Sequence, residues 1–138
     1  VRAFYLESEI RRGKTIRELL ERDTGREFIL DLLKRQMLFQ NSLSSSPYSY
    51  FVIDGFFPSG APVEEYPVSE DVTDIVLSSD GYPVLLPTLA ETERALARIL
   101  QDDPLCFRAF KTTKGVYKGN LSYDDRTYLS IDVSKDID

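Results

Sequence analysis

Three times in this chain a threonine stands three residues ahead of a glutamate at the head of an apolar-periodic run: Thr15 and Glu18, Thr24 and Glu27, Thr88 and Glu91. At that spacing the threonine hydroxyl accepts a backbone N–H of the first helical turn, and the glutamate reaches back to the cap. Each pair therefore marks a helix start. The first predicts a short helix over Thr15 to Glu21. The second predicts a long helix reaching about Phe39, with Phe28, Ile29, Leu32, Leu33 and Met37 along one apolar face. The third predicts a helix over Thr88 to Gln101, whose Leu89, Leu96, Ile99 and Leu100 supply the buried stripe. Ahead of all three, Val1, Phe4, Tyr5 and Ile10 sit at loosely helical spacing, and that run stops at Gly13, a residue suited to a C-cap.

The remaining apolar runs read as strands. Tyr48 to Ile53 suits a half-buried pleat, closed by Asp54-Gly55, and Phe56-Phe57 behind it suits a buried structural turn. Val63 to Val68 reads as a short edge strand, its pairing limited by Pro67. Val72 to Ser78 is the central strand. Arg126 to Val133 is the last, with Tyr128, Leu129 and Ile131 as core members. Between these lie a serine-rich loop over Asn41 to Pro47 and a loop over Phe56 to Pro62. Pro83 to Pro87 is a non-helical connection, and Lys111 to Asn120 is a loop holding three lysines and two glycines. Asp103-Pro104 has the residues that open a further short helix. Helices come first (1–41), then strands interleaved with one long helix (48–138). The fold class is α+β, an antiparallel sheet or sheets with helices packed outside.

At 138 residues, 42% apolar and 29% charged, the chain has the size and composition of one globular domain. It begins at Val1, which suggests a piece of a longer protein. No apolar run approaches the ~20 residues of a membrane span, and the charged first segment has no signal-peptide core. The single cysteine, Cys106, lies in an apolar flank, fits a buried inert thiol and suits a reducing, cytoplasmic setting. There is no histidine, which removes Ser-His and Cys-His catalysis within this chain and most zinc chemistry. The net charge of −6 argues against nucleic acid or an anionic membrane as partner and is compatible with divalent cations.

Any acid–base or metal work must then use carboxylates. Asp80-Gly81 ends the central strand, and Ser122-Tyr123-Asp124-Asp125-Arg126-Thr127 leads into the last one. If the two turns lie at the same sheet edge, two carboxylates converge, and unit charges about 4 Å apart repel by about 4 kcal/mol at an effective dielectric of about 20. A fold tolerates that with a cation, a paired base or one raised pKa. Oxygen ligands without histidine point to Mg²⁺ or Mn²⁺. Each aspartate also suits plain termination of a turn, and spacing alone favours that commoner role. Arg126 reads as an ion-pair partner of Asp124 and Asp125, or as a phosphate clamp. Lys111, Lys114 and Lys118 read as a solvated basic loop, or as an attractor for a phosphorylated ligand.

These two turns resemble the C-terminal half of the type 2C metal-dependent serine/threonine protein phosphatases. Val76-Leu77-Ser78-Ser79-Asp80-Gly81 is similar to the family segment whose Asp binds metal. Asp124-Asp125-Arg126-Thr127 is similar to the later Asp-Asn-x-Thr/Ser, which supplies another metal-binding Asp. The resemblance covers roughly Tyr48 to Val133. It implies part of a two-sheet sandwich, with Asp80 and Asp124 as ligands of Mg²⁺ or Mn²⁺. Asp125 and Arg126 would support them from behind, and the substrate would be a phosphorylated protein. Asp125 departs from the usual Asn, Tyr82-Pro83 replaces the usual residues after Asp-Gly, and the Asp-Gly-His-Gly segment of the family's first half is not in this chain. The resemblance therefore implies a chain inactive by itself. The competing expectation is a non-catalytic phosphatase-like interaction module; a third is a structural domain whose acidic turns lie apart. Half a sandwich would expose an apolar sheet face, which a homodimer or strand exchange would cover.

Overall fold

The computed structural model describes residues 1–44, 46–56, 60 and 63–134. In it the chain divides into two compact units: Val1–Phe28 with Ser69–Asp138, and Ile29–Val68.

The first unit begins with helices α1 (Arg2–Arg11) and α2 (Ile16–Glu21) and the start of α3 (Thr24–Gln36). The Thr15–Glu18 box forms in full: Glu18 N–H donates to Thr15 Oγ1 at 3.2 Å, and Thr15 N–H donates to Glu18 Oε2 at 2.8 Å. The second box does not form. Thr24 is already inside α3 and its hydroxyl has no partner among the described residues; Asp23 caps instead, its Oδ1 accepting Arg26 N–H at 2.8 Å. Glu27 turns outward to a two-pronged pair with Arg22 at 2.8 and 3.0 Å. The cap moved one residue because Asp23 is fixed from its other side by Arg2, whose Nη2 sits 2.5 Å from Asp23 Oδ2. At Gly25 a Cβ would lie 2.7 Å from Leu6 Cγ, so only glycine lets this first turn lie against α1.

The unit continues with strand β1 (Asp74–Ser78), helix α4 (Leu89–Asp102) and strand β2 (Tyr128–Asp132). Thr88 caps α4 by accepting Glu91 N–H at 3.3 Å; its hydroxyl also donates to the Glu91 carboxylate, so only half of the expected box is present. Leu96 is buried as expected, Thr92 is fully buried, and Leu89 is exposed, since it sits at the solvent end of the first turn. No helix follows Asp103. Its Oδ2 instead accepts three successive N–H groups, from Phe107, Arg108 and Ala109 at 2.9, 2.7 and 3.2 Å. The carboxylate does gather N–H groups as an N-cap would, but it closes a turn, and Cys106 there adopts φ +48°.

Among the described residues the sheet has two strands, antiparallel, in the register Ile75↔Ile131, Leu77↔Leu129, Ser78↔Tyr128. Alternation puts Ile75, Leu77, Leu129 and Ile131 on one face. That ladder stays half-open: Leu77 and Leu129 are about 50% exposed, so of the three expected core members only Tyr128 is partly buried. Two small cores hold the unit. Leu6, Leu19, Leu105 and Phe107 form one; Tyr82, Leu96, Cys106 and Tyr123 form the other. Cys106 is fully buried and burial pushes its thiol up to about 11, which matches the inert thiol expected from its flank.

In the second unit α3 ends at Gln36 and tightens into a 3-10 turn, Met37–Phe39, close to the expected boundary. The expected apolar face is largely exposed at Leu32 and Met37, with Ile29 buried. Residues 48–53 are not a strand. One parallel bridge, Gln40↔Tyr50, and a bond from Val52 N–H to Asn41 Oδ1 at 2.8 Å hold the segment, because no neighbouring strand among the described residues offers a ladder. Asp54 Oδ1 accepts Phe56 N–H at 2.9 Å, and Phe56 is exposed, so this turn is not the buried one expected. Residues 63–68 form no strand, and none pairs with them among the described residues. Most of the loop expected over Phe56 to Pro62 lies outside the described residues. No helix is long and apolar enough to cross a membrane among those residues.

Candidate functional site: two acidic turns and a mixed-charge cleft

Antiparallel pairing places the end of β1 beside the start of β2, and the two acidic turns hang from that junction. Ser79 N–H donates to the Thr127 carbonyl at 3.2 Å, and Thr127 N–H donates to Ser79 Oγ at 3.0 Å. The Tyr123 hydroxyl donates to the Asp80 carbonyl at 2.6 Å. Gly81 is buried against the other turn: a Cβ there would collide with the Asp125 carbonyl and lie 2.7 Å from Arg126 Cβ. Glycine at position 81 is thus required by a close backbone approach between the two turns.

The four acidic and basic candidates fare differently. The Asp80 side chain is exposed. Asp124 is half-buried, and its Oδ1 accepts Lys114 Nζ at 2.7 Å and Asp125 N–H at 3.0 Å. Asp125 is exposed and contributes its backbone to the turn contact. Arg126 pairs with neither aspartate. It reaches α4, where Nε and Nη2 grip Glu93 Oε1 and Oε2 at 2.8 and 3.1 Å. That corrects the expected pairing. A neighbour in sequence points the wrong way along the turn, whereas Glu93 presents both oxygens to the guanidinium fork.

The electrostatics follow from these partners. The Arg126 hydrogen bonds, then that from the Tyr82 hydroxyl, hold the Glu93 carboxyl below the usual carboxylate range. The same bond to Glu93 raises the Tyr82 phenol. Burial pushes the Tyr123 phenol up to about 12, with Cys106 and then the charges of Asp80 and Asp124 adding to it. Both aspartates therefore act on one phenol, which sits between the two turns.

Lys114, Asp124, Arg126, Glu93 and Tyr82 line an open cleft of about 650 Å³, with Ser122 and Tyr123 on its wall. Ser122 is buried, and its hydroxyl has no partner among the described residues. Lys111 and Lys118 are exposed, as a solvated loop would have them; Lys114 is the exception. The donors match a hard cation in kind, carboxylate and hydroxyl oxygen, but not in number: no group of three acidic, histidine or cysteine side chains able to hold a metal occurs among the described residues. A lysine ammonium already stands at one of the two carboxylates.

Comparison with protein-family models, curated proteins and solved structures gave no match, so the type 2C resemblance rests on the residues of the two turns.

Sequence reasoning missed Glu93, Tyr82 and Tyr123. The two tyrosines carried a signal, since each directly flanks an acidic turn, after Gly81 and before Asp124. Glu93 carried none, because its role depends on where α4 lies against a residue 33 positions away.

Proposed function

We propose that this chain supplies two carboxylates, Asp80 and Asp124, to a divalent-cation site of the type 2C phosphatase kind, and that it binds the cation but does not complete the catalytic machinery alone. The observation that carries the reading is the stitching of the two acidic turns through Ser79–Thr127, Tyr123–Asp80 and the Gly81 contact. Two acidic turns that only ended their strands would not need a glycine buried between them. Mg²⁺ or Mn²⁺ bound in a completed site supplies an activated water and a clamp on phosphoryl oxygens. Within this chain, Tyr123 fixes the Asp80 turn, and the Glu93–Arg126 fork fixes the Asp124 turn against α4. The substrate in this reading is a phosphorylated protein.

Calorimetric titration with Mn²⁺ tests it. Wild type is expected to bind, and Asp80→Asn and Asp124→Asn each to abolish binding, while the chain alone shows no phosphate-ester hydrolysis in Mn²⁺. Absence of binding by wild type overturns the reading.

A second reading, a non-catalytic phosphatase-like interaction module, is favoured by one contact. The Lys114–Asp124 pair neutralises the second acid without any metal. Mn²⁺ binding lost in Asp124→Asn would exclude it.

A further inference from the structure

The homodimer expected from the sequence would cover a sheet face, yet an apolar groove with a complement in this same chain lies elsewhere, in the unit Ile29–Val68. We propose that the segment Val63–Val68 of one copy docks into that groove on a second copy, reciprocally, with Glu65 facing Arg35 at each of the two contacts. The inference is independent of the cation-site reading.

The groove follows from the sequence of α3. Its apolar residues run on into the 3-10 turn, and Leu32 is left 54% exposed. Leu32, Leu33 and Phe39, with Tyr48 beyond them, line about 530 Å³, a volume in the range of clefts that hold a ligand. Phe39 and Tyr48 set one wall, their ring centroids 5.6 Å apart and their planes tilted by 57°. Arg35 and Gln36 are the polar members of the lining. None of residues 63–68 lines it, so the segment does not fill the groove of its own copy.

Charge identifies the occupant. No lysine or arginine occurs from residue 36 to residue 93. The unit therefore sets two cations, Lys34 and Arg35, against four carboxylates, Asp31, Asp54, Glu64 and Glu65. Lys34 lies 3.4 Å from Asp31. Asp54 accepts the Phe56 N–H and a Gln40 side-chain N–H, both at 2.9 Å, and Glu64 accepts the Tyr66 hydroxyl. Arg35 and Glu65 remain, each with no side-chain partner among the described residues. The leftover guanidinium stands at the groove, and the leftover carboxylate stands in the segment. A two-fold axis turns this one complement into two equal contacts.

The segment has the matching form. All six of its residues are exposed, Val63 at 81% and Tyr66 at 76%. Pro67 fixes its own φ and offers no N–H, so less chain freedom is lost on docking. A proline beside apolar side chains also suits an aromatic-lined groove. Docking takes apolar surface of both groove and segment out of water at once.

Sedimentation analysis of the whole chain over a range of concentrations, at low and high salt, tests the proposal. Wild type is expected to dimerise, and less tightly at high salt. Arg35→Glu and Glu65→Lys are each expected to weaken the dimer by about ten-fold or more, since each sets like charges face to face. Arg35→Glu with Glu65→Lys restores an opposite pair and is expected to regain wild-type association, which a folding defect would not do. Arg35→Gln replaces Arg35→Glu if the end of α3 does not form. Tyr66→Ala is expected to weaken the dimer without changing its charge. A monomer at every concentration overturns the proposal, whether the chain's own segment or another protein then takes the groove. A dimer that both charge reversals leave unchanged also overturns it, in favour of the half-open face of β1 and β2.

Discussion

Two ion pairs flank the loop that follows Asp103, and they are built in opposite ways. On one side Arg2 is 3% exposed and Asp23 9%. Arg2 Nη1 also donates to the carbonyls of Leu105, Cys106 and Thr112 at 2.9, 3.3 and 3.3 Å, while Asp23 accepts the N–H of Arg26 and of Gly115. Every polar arm of this pair ends on backbone, so one buried charge couple ties α1, the head of α3 and the loop into a single knot. On the other side Lys114 and Asp124 are roughly a third exposed, share one ion-pair contact, and line an open cleft. A saturated buried pair resists exchange of partners; a half-exposed, unsaturated pair can accept a new one. The contrast separates a buried structural knot from a half-exposed pair at an open cleft.

The largest expected effect is to break the knot. Asp23→Asn leaves the Arg2 guanidinium buried beside a neutral amide and weakens the α3 cap as well. Removing one partner of a buried pair costs about 3–5 kcal/mol. Urea denaturation should show the loss, and a cost below about 1 kcal/mol would place this pair in the same class as Lys114–Asp124.

The second effect falls on the site itself. Gly81→Ala drives a methyl into the Asp125 carbonyl and Arg126 Cβ. Overpacking of this kind costs about 1–3 kcal/mol and here acts by parting the two turns. Mn²⁺ binding is therefore expected to weaken more in Gly81→Ala than in a variant of equal stability altered at the Arg2 knot. Equal weakening would mean that the turns need not touch.

These variants also indicate how much of the molecule could be read from residue order. The helices of 15–21, 24–36 and 89–102 were legible because a cap is a local device, complete within four residues, and even the displaced cap at Asp23 moved the boundary by only one position. The meeting of the Asp80 and Asp124 turns was legible because two strands, each ending in or leading from an acid, must bring those turns together if they pair antiparallel at that register. Residues 48–53 misled because aromatic and β-branched side chains describe a segment that would fit a sheet, whereas a strand needs a neighbour. The Arg126–Glu93 fork and the Lys114–Asp124 pair were not legible. Each depends on the placing of an element with no local signature, α4 in one case and the anchored loop in the other.

Tyr123 gives a smaller effect with a pH signature. Tyr123→Phe removes the bond to the Asp80 carbonyl, which is worth about 1 kcal/mol at neutral pH. The phenol is raised from about 10 in the unfolded chain to about 12 in the fold. The folded state therefore keeps the proton longer, and the stability this group contributes is whole below pH ~10 and lost as pH rises toward 12. The Cys106 thiol, raised to about 11, titrates in the same window, so the informative quantity is the difference between wild type and Tyr123→Phe. That difference is expected to shrink between pH 10 and 12. An unchanged difference would mean that burial does not hold the Tyr123 phenol above its ordinary range.

The smallest expected effect is the most discriminating. In metal-free protein Lys114→Met should cost only about 0.2–1 kcal/mol, because both partners are partly hydrated and water replaces most of what the ammonium gave. The same substitution made at Arg2 would leave Asp23 buried with its charge unmatched, as Asp23→Asn leaves Arg2. If Lys114→Met cost as much as the Arg2 variant, the cleft would be a second structural knot, and a cation would find Asp124 locked. A small cost in urea denaturation without metal would instead set this half-exposed pair apart from the buried Arg2–Asp23 couple.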